Sequence, residues 1–139
     1  MTETLIDAGP LVAIVLRRDE HHEAAIELFG SLRKPPITCW PAITEAVYLA
    51  RHHPRSVEAL IEMLQDGSIA ITNLIQADIA PVAELMRKYR NLQLQLADAC
   101  LLQLADRLDL QHIFTFDQRD FTAALTPAGR TLKRLEARP

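Results

Sequence analysis

The chain has 139 residues, with 15 Lys and Arg against 18 Asp and Glu and a formal net charge of −3. With 49% apolar and 24% charged residues it has globular composition, which excludes a disordered chain, and 139 residues suit a single domain spanning 1–139. The weakly acidic balance excludes holding nucleic acid by bulk positive charge, though not an RNA engaged through a metal or a local basic patch.

Met1-Thr2-Glu3-Thr4 has no basic leader, and the apolar run Leu11 to Leu16 is far shorter than the ~20 residues of a membrane span. Cys39 and Cys100 lie in segments that read as buried and show no metal or redox spacing. A soluble chain of the reducing cytoplasm is the expectation.

In chain order, Thr4-Leu5-Ile6 predicts a first buried strand, broken by Gly9-Pro10, and Pro10 opens a helix through Leu16. Asp19 is placed to cap a second helix, where Ala25, Leu28 and Leu32 follow helical spacing. Ile37-Thr38-Cys39-Trp40 reads as a second strand, followed by a helix from Pro41 up to His52-His53-Pro54, in which Tyr48 with Leu49 reads as helix packing rather than base stacking. Ser56 is placed to cap a helix ending at Asp66-Gly67, and Ile69 to Thr72 forms a third strand. Helices over 78–89 and 96–108 precede a fourth strand, Ile113-Phe114-Thr115-Phe116, closed by Asp117. The tail with Arg130, Lys133, Arg134 and Arg138 reads either as an RNA contact or as a solvated end.

Continuous apolar strands alternating with helices predict an α/β fold. Its form is a three-layer α/β/α sandwich around a parallel sheet of four or five strands. Ligands of such sheets bind outside the carboxyl ends of the strands. Asp7 and Asp117 stand at two such ends. Glu45 interrupts the helix after Pro41, and Asp98 interrupts an otherwise apolar segment, Leu96-Ala97-Asp98-Ala99-Cys100. An acid at a strand end is as often a helix cap as a ligand. Asp98 is harder to read as a cap, because Leu94 and Leu96 precede it. Four converging carboxylates repel one another, and a hard divalent cation, Mg²⁺ or Mn²⁺, removes the conflict. Such a centre can activate water against a phosphodiester.

Other chemistries fit less well. His21-His22 and His52-His53 lack the i,i+4 spacing of paired ligands and read as solvated helix ends. A phosphoacceptor receiver would want paired acids at the first strand and a Lys after the last, but Asp7 is single and no Lys follows Phe116. A haloacid-type phosphatase would want Asp-x-Asp, and Asp7-Ala8-Gly9 lacks the second acid.

Four segments, in this order, resemble the successive motifs of PIN-domain ribonucleases. They are Thr-Leu-Ile-Asp7-Ala-Gly-Pro, Thr-Glu45-Ala-Val-Tyr, Leu-Ala-Asp98-Ala-Cys and Phe-Thr-Phe-Asp117-Gln-Arg-Asp120-Phe. The resemblance is to the VapC-type toxins of type II toxin–antitoxin systems and covers about Thr4 to Phe121. It implies a PIN-like fold, a Mg²⁺-dependent endoribonuclease, a homodimer and a cognate antitoxin. By the same resemblance Asp7, Glu45, Asp98 and Asp117 are the catalytic acids, and Asp7, Asp98 and Asp117 hold the metal. Asp120 matches a frequent extra acid, and Arg119 either touches a phosphate or is a surface charge.

Two departures from the family pattern bear on substrate preference. Asn91 and Gln95 stand where relatives often carry Asp, and Gly9-Pro10 replaces small polar residues. A catalytically silent PIN-like module that holds a protein or RNA partner is the alternative reading, and metal dependence separates the two.

Overall fold

The computed structural model describes residues 3–117, 121 and 123–136. Five strands form one sheet: β1 (Thr4–Ile6), β2 (Ile37–Thr38), β3 (Ala70–Ile71), β4 (His112–Phe114) and β5 (Lys133–Arg134). Every neighbouring pair is parallel, in the order β3-β2-β1-β4-β5. Among the described residues, six helices flank the sheet: α1 (Ala8–Val15), α2 (His22–Ser31), α3 (Trp40–Leu49), α4 (Pro54–Gln65), α5 (Ile79–Lys88) and α6 (Leu96–Arg107). The expected α/β/α architecture is borne out, with five strands as the sheet's count.

Alternation along β1 explains the three layers, because successive strand side chains point to opposite faces. Leu5 joins Ile37, Ile113 and the inner sides of α5 and α6 in one core. Ile6 joins Phe114 and residues of α1, α2, α3 and α4 in the other. Both cysteines are buried in the first core, as expected.

Several boundaries differ from the sequence reading, and each difference has a local cause. α1 begins at Ala8, so Gly9-Pro10 lies inside its first turn rather than breaking the chain. Pro fits there because the first-turn N–H groups have no helical partner. Asp19 caps no helix; its Oδ1 accepts from the His21 N–H at 2.8 Å, and α2 starts at His22. α4 starts at Pro54, which leaves Ser56 inside its first turn. Within the basic tail, Arg130, Lys133 and Arg134 are tied into the fold. Lys133 and Arg134 form β5 against β4, and Arg130 donates from Nε to Asp106 Oδ1 at 3.0 Å. Arg138 lies outside the described residues.

The chain runs β1 to β2 to β3 outward on one side and returns to place β4 on the other side of β1. The strand order therefore reverses between β1 and β4, where open α/β sheets form their ligand crevice. Asp7 follows β1 and Asp117 follows β4, at this crevice.

Candidate active site

The pairing of Ile6 with Phe114 sets the carboxyl ends of β1 and β4 side by side. Asp7 is held there from three directions. Its N–H donates to the Phe114 carbonyl at 3.0 Å, its Oδ1 accepts from the Ala8 N–H at 2.8 Å, and its Oδ2 accepts from the Thr115 hydroxyl at 3.0 Å. Thr115 in turn accepts from the Asp117 N–H at 3.0 Å. One buried hydroxyl thus joins the ends of both strands. Asp7 is both the cap of α1 and a site carboxylate, so the two readings of this residue coincide.

Asp7 is only 7% exposed. Burial raises its carboxyl from 3.8 to about 6, against the lowering effect of the Ala8 and Thr115 hydrogen bonds. The charges of Glu45 and Asp117 add to the rise, which places both within electrostatic reach of Asp7. Glu45 sits mid-way along α3, and burial raises its carboxyl too. Asp117 is exposed at the end of the strand connection.

Asp98 is 6% exposed at the third position of α6. Its Oδ2 accepts from the Gln95 N–H at 3.1 Å, so it does cap the helix, contrary to the sequence reading. Gln95 adopts an extended backbone, which turns its N–H toward the first turn in the capping-box manner. Gln95, Leu96 and Ala97, immediately before Asp98, line a groove of about 750 Å³ that also contains Glu45. Arg119 and Asp120 lie outside the described residues.

Among the described residues, no three His, Cys, Asp or Glu side chains are gathered tightly enough to hold an ion. The donor chemistry fits a hard divalent cation nonetheless. The carboxylate oxygens suit Mg²⁺ or Mn²⁺, and each Asp7 oxygen, besides the hydrogen bond from Ala8 or Thr115, has capacity for a further ligand. A cation would draw together acids whose like charges now oppose one another.

Sequence reasoning missed two features. Thr115 falls within the expected fourth strand with no role of its own, and the signal is its place two residues before Asp117, at a strand end. Tyr48 and Leu49 were read as packing, but they are 61% and 52% exposed. The inner side of α3 is supplied by the small residues Ala42 and Ala46 together with Ile43. The two members of the His21-His22 pair behave differently. His21 is exposed but stacks on Phe116 with ring centroids 4.4 Å apart, whereas His22 Nδ1 lies 2.6 Å from the Ala13 carbonyl. Burial pushes the Cys39 thiol up to about 12 and that of Cys100 up to about 11, so neither is a ready nucleophile.

The sequence pattern of the PIN domain family matches residues 4–124. The chain belongs to the PIN domain family. It is 29% identical over 127 residues to Ribonuclease VapC26 of Mycobacterium tuberculosis, covering 90% of this chain and 93% of that protein. The crystal structure of Mycobacterium tuberculosis VapC20, described as a Sarcin-Ricin loop cleaving toxin, superposes with a TM-score of 0.80. At 14% identity over 90% of this chain and 98% of that one, the VapC20 likeness concerns the fold. The resemblance to VapC-type PIN ribonucleases read from the motifs is supported by the family match and the VapC26 relative, and its fold by the VapC20 structure. No helix among the described residues is long and apolar enough to cross a membrane.

Proposed function

We propose that the chain, as a single PIN domain over 1–139, is a Mg²⁺-dependent endoribonuclease acting as the toxin of a cytoplasmic toxin–antitoxin pair. The observation that carries the reading is the Asp7 carboxylate. It is buried at the β1/β4 crevice, fixed by Thr115 and Ala8, and opposed by the charges of Glu45 and Asp117. An ionised carboxylate so placed costs stability unless a cation offsets it. Sites that retain such groups tend to be functional. The ribonuclease name of the VapC26 relative supports RNA as substrate.

Asp7, Asp98 and Asp117 would hold the cation, with Mn²⁺ an acceptable substitute. When bound, the cation acidifies a water and neutralises charge on the phosphodiester. Glu45, whose carboxyl burial raises, lines the groove beside Gln95 and would accept the proton of the attacking water. Asp7 would orient the site through its fixed hydrogen bonds, and Asp98 would reach it from the first turn of α6.

The partners in this reading are RNA, a cognate antitoxin and a second copy of the chain. A homodimer is supported by an apolar patch on α5 and the segment before it, where Ile79 and Met86 of α5 are 57% and 37% exposed and Ile75 is 51% exposed, around a hollow of about 340 Å³. The test is induced expression followed by mapping of cleaved RNA ends, comparing the native chain with Asp7→Ala. New ends that require Asp7 support the reading. Identical RNA profiles would leave the silent binding module as the better account.

A further inference from the structure

Two aromatic rings stand exposed beside Glu45. Trp40 opens α3 at 54% exposure, and Tyr48 lies two turns along at 61%. They fall at i and i+8, hence on one side of the helix and about 12 Å apart along its axis. Both line the groove of about 750 Å³ that also holds Thr44, Glu45 and Gln95. Large apolar rings are normally covered, and these two are left uncovered next to a candidate catalytic acid.

The Tyr48 ring is already oriented. The Arg51 guanidinium lies over it at 4.0 Å from the ring centroid, and Arg51 also donates to the Tyr48 carbonyl at 2.8 Å. A guanidinium on one face leaves the other for a flat ligand. The same cation stands ready for a phosphate of that ligand. The Gln95 side chain adds an amide that can donate and accept hydrogen bonds at the groove wall. A flat π-system carried on a polyanion, with polar edges, matches this set of groups.

We propose that the Trp40–Tyr48 groove is a nucleobase subsite, in which an unpaired base of the RNA stacks while its backbone passes Glu45. The inference rests on the nuclease reading of the site and names the part of the substrate it grips. Sequence-tolerant stacking on aromatic side chains is how proteins commonly hold single-stranded RNA. The subsite selects unpaired over paired nucleotides, because a base within a duplex cannot offer a free face.

Trp40 is the chain's one tryptophan and reports on the groove directly. The experiment titrates its fluorescence in EDTA, so that nothing is cleaved, with a short single-stranded RNA and with an abasic ribose-phosphate chain of equal length. The RNA is expected to quench Trp40 and the abasic chain to leave it unchanged. Tyr48→Ala should weaken RNA binding roughly tenfold, the size of one lost base–aromatic stack, while Tyr48→Phe should bind as the native chain does.

An equal response to both ligands, or none to either, would overturn the subsite. So would a Trp40 shielded from a soluble quencher in the protein alone at concentrations where sedimentation shows a dimer. That outcome would give the groove to a second copy. Cleavage of RNA with Mg²⁺, assayed on the same preparation, separates the failures. If cleavage persists, only the subsite falls; if it is absent as well, the nuclease reading falls with it.

Discussion

The Thr115 hydroxyl donates to Asp7 Oδ2 at 3.0 Å, joining residues 108 positions apart in the chain. Because Thr115 also accepts from the Asp117 N–H, it ties the end of β4 to the end of β1 at the crevice. Replacing it with Val removes the donor and keeps the shape. Thr115→Val should therefore cost about 1–3 kcal/mol of stability and lower RNA cleavage, whereas Thr115→Ser should preserve most of both. Denaturant unfolding and a cleavage assay on the same three proteins check this.

Asp7 should be a destabilising residue at neutral pH. Its folded carboxyl titrates at about 6 against 3.8 when free, so the folded state binds the proton more tightly. Stability is then greatest at the acid end of that window and declines as pH rises from 3.8 to about 6, a total of about 3 kcal/mol. Asp7→Asn should melt several degrees above the native chain at pH 7–8, and the difference should vanish near pH 4. Thermal melts across that range read the sign directly. Mg²⁺ should raise the melting temperature of the native chain above pH 6 and leave that of Asp7→Asn unchanged.

A second buried acid has the opposite sign. Asp78, 2% exposed, accepts from Gln103, from the Ile75 N–H and from Arg107 at 3.0–3.1 Å. Burial would raise its carboxyl, but these donors more than offset that and hold it below the usual range. It thus contributes stability at neutral pH that is lost as pH falls through its lowered pKa. Arg107→Ala should cost roughly 2 kcal/mol, since it leaves an uncompensated buried carboxylate with a partly exposed partner removed. Cleavage per folded molecule should be unchanged, because the pair clips the start of α5 to the far end of α6. Urea unfolding alongside the cleavage assay separates the two effects.

Asp98 carries both a cap and a proposed ligand role, and two substitutions divide them. Asp98→Asn keeps an oxygen that can accept from Gln95 N–H and should fold normally while losing cleavage. Asp98→Ala should lose cleavage and also about 1 kcal/mol of stability. Equal stability loss in both, with cleavage retained in Asp98→Asn, would make Asp98 a cap alone.

The parallel sandwich was legible because each strand is an uninterrupted apolar run and the helices are periodic. The crevice was legible because Asp7 and Asp117 close two of those runs. The strand order was not, since nothing in Ile113-Phe114 says that it returns beside β1. Asp98 was misjudged because capping depends on the extended backbone of Gln95, not on the polarity of its neighbours. Tyr48 was misjudged because a helical pattern credits any apolar residue to the core. In α3 the inner side is filled by Ala42, Ile43 and Ala46, which turns the aromatic rings outward.

The most direct test of the central claim is cleavage of a structured RNA by the purified chain with Mg²⁺, with Mn²⁺ and with EDTA. The native protein should cut with either metal and not with EDTA, and Asp7→Asn, Glu45→Gln and Asp98→Asn should each lower the rate by at least about a hundredfold while remaining folded. Cleavage that survives EDTA, or that survives these three substitutions, would contradict it.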